Sequence, residues 1–243
     1  MSILSATRSA LEDALRPHGL HLRGGFVPIE ADALPRLPGG DHAAVVWMVG
    51  QLGSSCWAAF GASPFAVDGL PDPMDRWAKS IAQVLANQWG GLGLFPSDGP
   101  PYRPFARWAE RGEPLARGRI GMQLHPQVGM WHAYRFALAL PVLAADDAAH
   151  IGRVDADPRP DPCARCAAQA CLSTCPVGAF TRAGYDVPAC AAHLHSRRGL
   201  DCMQRGCLAR RACPVGREHL YEPAQAAFHM ANFARKHPVS AGS

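Results

Sequence analysis

Eight of the nine cysteines of this 243-residue chain lie in its last third, in two runs that each end in Cys-Pro. The first is Cys163-x2-Cys166-x4-Cys171-x3-Cys175-Pro176, and the second gathers Cys190, Cys202, Cys207 and Cys213-Pro214. No feature restricts the fold more. Thiolates that bind a common group must converge from compact loops, and a Cys-x2-Cys pair brings two of them to one centre from a single turn. The N-terminus interleaves charges with apolar residues and lacks the continuous apolar stretch of a secretory signal, and no apolar run suffices for a bilayer. The expected location is therefore cytoplasmic, with no membrane partner. Thiols there stay reduced, so the cysteines read as a metal site rather than a disulfide framework.

Eight thiolates divide into two sets of four, the number that two [4Fe–4S] clusters require. The spacing resembles that of a two-cluster ferredoxin, stretched by two residues between the second and third ligands. In that pattern the Cys-Pro cysteine serves the other cluster. Applied here, Cys163, Cys166, Cys171 and Cys213 hold one cluster, and Cys175, Cys190, Cys202 and Cys207 hold the second. Structural zinc is the competing assignment, since four-cysteine zinc sites also use Cys-x2-Cys pairs. The two Cys-Pro elements and the ferredoxin-like tail CPVGAF beginning at Cys175 favour iron. Cys56 stands apart in GQLGSSCWAAFGASP and reads as a small buried hydrophobe.

Hydrophobic residues at 48% and charged residues at 18% fit a compact chain rather than a disordered one. The net charge of +4 is unevenly spread: Arg197, Arg198, Arg205, Arg210, Arg211 and Arg217 face one acid, Asp201, between Cys190 and Arg217. Such charge can offset cysteinate-bound clusters or dock an acidic partner such as a flavodoxin or RNA. Local compensation plus a solvated face is the simpler reading, and nucleic acid is not an expected partner.

Periodicity predicts an amphipathic helix over residues 4–16, a buried strand over 43–50 and a helix over 73–89 built on Met74, Trp77, Ile81, Val84 and Leu85, ended by Gly90-Gly91. A short helix is expected over 104–112, and strands over 118–124 and 130–142 joined by a turn at 125–129. Composition then turns acidic, alanine-rich and proline-punctuated. This gives an α+β domain over 1–145, a linker over 146–162 and a cysteine-rich domain over 163–243. A final helix over 218–236 carries the stripe Leu220, Ala224, Ala227, Phe228, Ala231 and Phe233.

The segment His125-Pro126-Gln127-Val128-Gly129-Met130-Trp131-His132-Ala133-Tyr134-Arg135 resembles the His-Pro-x-x-Gly-x-Trp-x-Ala-x-Arg stretch of cobalamin-processing proteins of the CblC type. Leu70-x-Asp72-Pro73-Met74-Asp75, opening the long helix, agrees with it. The resemblance covers residues 1 to about 142. It implies a nitroreductase-like α+β fold holding base-off cobalamin, with His125, Gly129, Trp131, His132 and Arg135 as cofactor-binding residues. Plainer readings are a loop hydrogen bond for His125 and core packing for Trp131 or the neighbouring Tyr134. Gly53, Gly90 and Gly91 suit a flat macrocycle or ordinary turns. Flavin, which the same fold class binds elsewhere, is the first alternative cofactor.

The C-terminal part is similar to the two-cluster module of epoxyqueuosine reductase and the reductive dehalogenases, which follows a nitroreductase-like cobalamin domain. CblC-type proteins typically lack these cysteines. Together the resemblances imply an oxidoreductase that removes the upper ligand of cobalamin, taking Co(III) to Co(II) with electrons from its own clusters. An external donor (flavodoxin, ferredoxin or a reductase) would load them, and a homodimer is open because nitroreductase-like domains often pair. Two rival functions are a cobalamin-dependent reductase of an organic or RNA substrate and a ferredoxin-type electron-transfer protein with a flavin or docking domain. The sequence singles out no catalytic acid.

Overall fold

The computed structural model describes residues 7–152, 161–181 and 183–239. Leu4 of the first expected helix and residues 153–160 of the expected linker lie outside them. The chain is α+β with antiparallel sheets, and it divides into two compact units. One comprises Met1–Pro114 and His132–Pro158, the other Leu115–Trp131 and Arg159–Ser243. All nine cysteines are free. Among the described residues no helix is long and apolar enough to cross a membrane.

The first unit is built on a four-stranded sheet. Helix α1 (Arg8–Leu15) buries Leu11 and Leu15 and is capped by the Thr7 hydroxyl, which accepts from Ala10 N–H. Strand β1 (His21–Phe26) pairs with β2 (Val45–Leu52), which is buried along nearly its whole length. Such a run suits a central strand, covered on both faces. After the short helix α2 (Trp57–Gly61) comes α3 (Pro73–Trp89). Proline sits at its first turn, where no N–H is needed, and Gly90 closes it at φ 64°. Met74, Trp77, Ile81 and Leu85 are buried as the periodicity predicts; Val84 instead faces solvent.

Strand β3 (Leu92–Leu94) and helix α4 (Phe105–Gly112) follow. The sheet closes with β6 (His132–Leu140), giving the order β1-β2-β6-β3. A register shift between Val49 and Gly50 lets β2 follow β6, and a Cβ at Gly50 would stand 2.1 Å from the Ala133 carbonyl oxygen. Helix α4 is tied down by Asp32, whose carboxylate accepts from Trp108 Nε1 at 2.9 Å and from Arg111 Nη1 at 2.6 Å.

The break expected at residue 145 needs two adjustments. Residues 145–152 belong with the first unit: Asp147 accepts the Arg8 N–H at 2.7 Å, and Gly152 N–H donates to the Gly25 carbonyl at 2.9 Å. The segment Leu115–Trp131, assigned from sequence to the N-terminal domain, belongs to the second unit. Nor is 118–124 a strand. Only β4 (Ala116–Arg117) and β5 (Gln123–Leu124) pair, because Gly118 and Gly121, the latter at φ 81°, turn the chain between them.

The second unit is mainly short helices: α5 (Ala170–Ser173), a hairpin of β7 (Phe180–Thr181) and β8 (Gly184–Tyr185), α6 (Val187–Leu194), α7 (Leu200–Arg205), α8 (Leu208–Arg211) and α9 (Pro223–Lys236). Helix α9 packs on α7 and α6. Its buried side is turned from the expected stripe: Gln225, Ala226 and Ala234 are buried, Met230 and Phe233 pack inward, and Ala224 and Ala231 are exposed. Small alanines do not mark a face, and the larger Met230 and Phe233 decide which side is covered.

Candidate metal centres

The second unit sorts its eight cluster-run cysteines into two groups. Cys163, Cys166, Cys171 and Cys213 line one pocket, and Cys163 and Cys171 pack with Cys213 against Ile120, Leu124 and Met130. Burial first, then the neighbouring Cys213, Cys163 and Cys166 thiolates, raise the Cys171 thiol above its ordinary range. Burial likewise pushes Cys213 up, against a Val215 N–H bond, with Cys163 and Cys166 adding to the rise.

Cys175, Cys190, Cys202 and Cys207 form the other group. Burial raises Cys190, a Tyr185 hydrogen bond opposes this, and Cys175 and Cys202 raise it further. Cys207 is raised by burial, opposed by the Arg210 and Ala209 N–H groups, and raised again by Cys202 and Cys190. Burial and the nearby Cys190, Cys207 and Cys175 also hold the Tyr185 phenol above its usual value. Cys213, from the second run, lies with the first group, and Cys175, from the first run, lies with the second.

Local hydrogen bonds explain how such short segments present their sulfurs. The Asp161 carboxylate accepts from the Cys163 and Ala164 N–H groups at 2.9 and 3.2 Å, starting the turn that carries Cys163 and Cys166. Ala179 N–H donates to Cys175 Sγ at 3.3 Å. The Asp186 side chain caps α6, which bears Cys190, by accepting from Ala189 N–H at 3.0 Å. Cys202, on α7, is buried against α9 through Ala234, Met230 and Phe233.

Among the described residues, no three His, Cys, Asp or Glu side chains meet at a point suited to one metal ion. In a four-iron cluster each thiolate binds a different corner, so the sulfurs stand around the group. Crowded, partly buried thiolates repel one another and need cationic charge between them. The donor set, its number and its half-buried setting fit a [4Fe–4S] group in each place.

The five residues assigned to cofactor binding fall in both units. In the second, His125 Nδ1 accepts from the Gln127 and Val128 N–H groups at 3.1 and 3.3 Å, and His125 and Gly129 exchange backbone hydrogen bonds at 2.9 Å. Gly129, at φ 60°, touches the loop after Cys213: a Cβ there would lie 2.1 Å from the Val215 carbonyl oxygen. Trp131 is buried, with the Arg210 guanidinium 4.3 Å from its ring centroid and Tyr221 edge-on at 5.5 Å. Arg210 also donates to the Met130 carbonyl.

In the first unit, His132 is buried beside Tyr134, their ring centroids 5.8 Å apart. Arg135 donates through Nε and Nη2 to Gln51 Oε1 at 3.0 and 2.6 Å. That oxygen also accepts from Cys56 Sγ at 2.9 Å, and burial keeps the Cys56 thiol above its ordinary range. A protonated, hydrogen-bonded thiol in the core is chemically quiet. Alongside lies a buried ion pair, in which Arg23 meets both oxygens of Glu113 at 2.8 and 2.7 Å and donates to the Gln51 carbonyl at 3.0 Å. Tyr134 donates to the same Glu113 carboxylate.

Three features escaped sequence reasoning. Arg119 and Leu124 line the first cysteine pocket although they lie some forty residues before Cys163. Tyr185 reaches Cys190 from an ordinary-looking Gly-Tyr pair, and Arg210 leaves the basic run to stack on Trp131 and Tyr221. No local pattern marks any of them. In the same run, Arg205 and Arg211 pair with Asp201, while Arg197, Arg198 and Arg217 are exposed. No protein-family model matches the chain, and no curated protein matches it.

Proposed function

We propose that this chain is an iron–sulfur oxidoreductase whose second unit carries two [4Fe–4S] clusters and whose first unit is a nitroreductase-like domain that binds cobalamin for reductive removal of its upper ligand. One observation carries the iron–sulfur half: eight thiols gather as two sets of four, with the Cys-Pro residues Cys175 and Cys213 exchanged between the runs. Cys163, Cys166, Cys171 and Cys213 would hold one cluster, and Cys175, Cys190, Cys202 and Cys207 the other. Bound, such clusters take up and pass on single electrons, and a base-off corrin offers a cobalt whose upper ligand leaves on reduction.

The chain's own part is to hold and shield. Asp161 and Asp186 set the ligand turns, the N–H groups of Ala179, Ala209, Arg210 and Val215 face cysteine sulfurs, and Leu124, Met130, Leu194 and Phe233 shield the thiols with apolar surface. The cobalamin half rests on the resemblance of residues 123–135 and on the joint presence of both parts in one chain. Local contacts engage His125, Gly129 and Trp131 within the second unit, and in the first unit Arg135 bonds Gln51 while His132 is buried beside Tyr134.

Two measurements test the halves separately. Anaerobically purified protein should be brown and hold about eight irons and eight sulfides per chain; a colourless zinc protein ends the iron–sulfur reading. Titration with cyanocobalamin under strong reductant and without oxygen should change its visible spectrum. Iron-loaded protein that leaves the spectrum unchanged is an electron carrier, and the cobalamin half falls.

A further inference from the structure

We propose that Arg210 is a positioning residue for electron transfer between the two clusters: clamped by Trp131, Tyr221 and the Met130 carbonyl, it fixes the short turn that carries Cys207 and Cys213, one cysteine of each set. This deepens the iron–sulfur reading above and rests on it.

Helix α8 spans only Leu208–Arg211, with Cys207 at its N-terminal cap and Cys213 two residues past its end. Its hydrogen bonds run from one cysteine to the other. The Arg211 N–H donates to the Cys207 carbonyl and the Ala212 N–H to the Leu208 carbonyl, both at 3.0 Å. The Cys213 N–H then donates to the Arg210 carbonyl at 3.2 Å. A helix of four residues cannot hold itself, because the cost of nucleating a turn is not recovered over so short a run. Its shape must come from contacts with remote segments.

Arg210 makes three such contacts. Its guanidinium lies 4.3 Å from the Trp131 ring centroid and 4.4 Å from that of Tyr221, and Nη2 donates to the carbonyl of Met130, eighty residues earlier in the chain. Trp131 is 3% exposed, so the cation faces a ring removed from water, where its attraction is stronger than at an exposed site. The two rings meet edge-on at 5.5 Å, and Tyr221 also meets His229 of α9 at 5.6 Å. The neighbouring Arg211 instead pairs with the exposed Asp201. A guanidinium is planar and can lie over a ring while donating in its own plane, which a lysine ammonium cannot do.

The turn matters because of where it stands between the sets. The chain passes from one set to the other twice, from Cys171 to Cys175 and from Cys207 to Cys213. The first passage begins on α5 and the second contains α8, and these two helices pack together. Anchoring α8 therefore anchors both passages, and with them the spacing of the clusters, on which the rate of electron transfer depends steeply.

Arg210→Met keeps the length of the side chain and removes the planar cation. The full-length protein, loaded anaerobically and fully reduced, would carry two paramagnetic clusters. Their magnetic coupling falls with the cube of their separation and splits the electron paramagnetic resonance signal. Wild-type protein should show one well-defined splitting. Arg210→Met should keep about eight irons yet change the splitting and spread it over a range, and Arg210→Lys, charged but not planar, should do the same. Tyr221→Phe, which keeps the ring, and Gly121→Ala, where a Cβ meets nothing within 4 Å, should both leave it as in wild type. Unchanged splitting in iron-loaded Arg210→Met overturns the proposal while the cluster assignment stands, as does iron-loaded wild-type protein without splitting. If Arg210→Met holds fewer irons, Tyr221→Leu, which removes one ring face, decides. Altered splitting there supports the proposal, and unchanged splitting or loss of iron overturns it. Wild-type protein without iron removes the cluster assignment itself, and the proposal with it.

Discussion

Replacing Gly129 by alanine puts a methyl group 2.1 Å from the Val215 carbonyl oxygen, at a backbone φ of 60°. Two costs combine. A left-handed conformation is about 1–2 kcal/mol less favourable for an L-residue than for glycine. Overpacking a close contact adds about 1–3 kcal/mol, and here the obstruction is backbone, which cannot rotate aside. The contact is reciprocal: Gly216, at φ 68°, would set a Cβ 2.2 Å from the Val128 carbonyl carbon. The substitution must therefore push the 125–129 hairpin off the loop that follows Cys213, loosening that cysteine as well as the fold.

A total of about 2–5 kcal/mol should lower the thermal midpoint of this unit by on the order of 10 °C or more. Gly121→Ala separates the two costs. It too has a left-handed φ, 81°, but a Cβ there meets nothing within 4 Å, so it should lose only the smaller conformational share. Calorimetry of the anaerobic protein, with iron counted per chain, reads both effects. Equal midpoints and equal iron for the two variants would refute the argument that the hairpin is pressed against the Cys213 loop.

Other substitutions probe the remaining parts. Cys171→Ser and Cys190→Ser should each halve the iron content, because they fall in different sets; loss of all iron from either would show that the sets are not separate in assembly. Arg23→Met leaves the partly buried Glu113 carboxylate with Tyr134 but without its guanidinium and should cost about 1.5–3 kcal/mol in urea denaturation, with part recovered on adding Glu113→Leu. At Asp32 burial opposes the charge, but the Ile29 N–H, Arg111 and Trp108 outweigh it and hold the carboxyl below its ordinary value. Its stabilisation is therefore full above the unfolded value of 3.8 and is lost as pH falls through the lower folded value. Asp32→Asn should remove about 1–3 kcal/mol at neutral pH and flatten the acid limb of the stability curve.

How far the sequence reached is clearest in particular elements. Helix α3 was legible because large apolar residues recur on one face and proline and glycine mark its ends. Strand β2 was legible as an unbroken apolar run. The strand expected over 118–124 failed because alternation there is interrupted by two glycines that turn the chain. The stripe on α9 was misplaced because alanine packs equally well on a buried or an exposed side. For the centres, cysteine spacing conveys which thiols share a turn, and it says nothing of the hydroxyl of Tyr185 or the wall formed by Leu124.

By itself, then, the sequence determined the eight thiols in short loops, the two Cys-Pro elements, and the long helix α3 and central strand β2 of an α+β chain, all of which depend on neighbours within a few residues. The tertiary structure alone decided which remote groups stand beside those thiols. It carried Leu115–Trp131 into the unit that holds the cysteines, pressed Gly129 against Val215, and laid Arg210 over Trp131 and Tyr221. Such contacts arise from burial and close packing between segments far apart in the chain, where no sequence period exists to announce them.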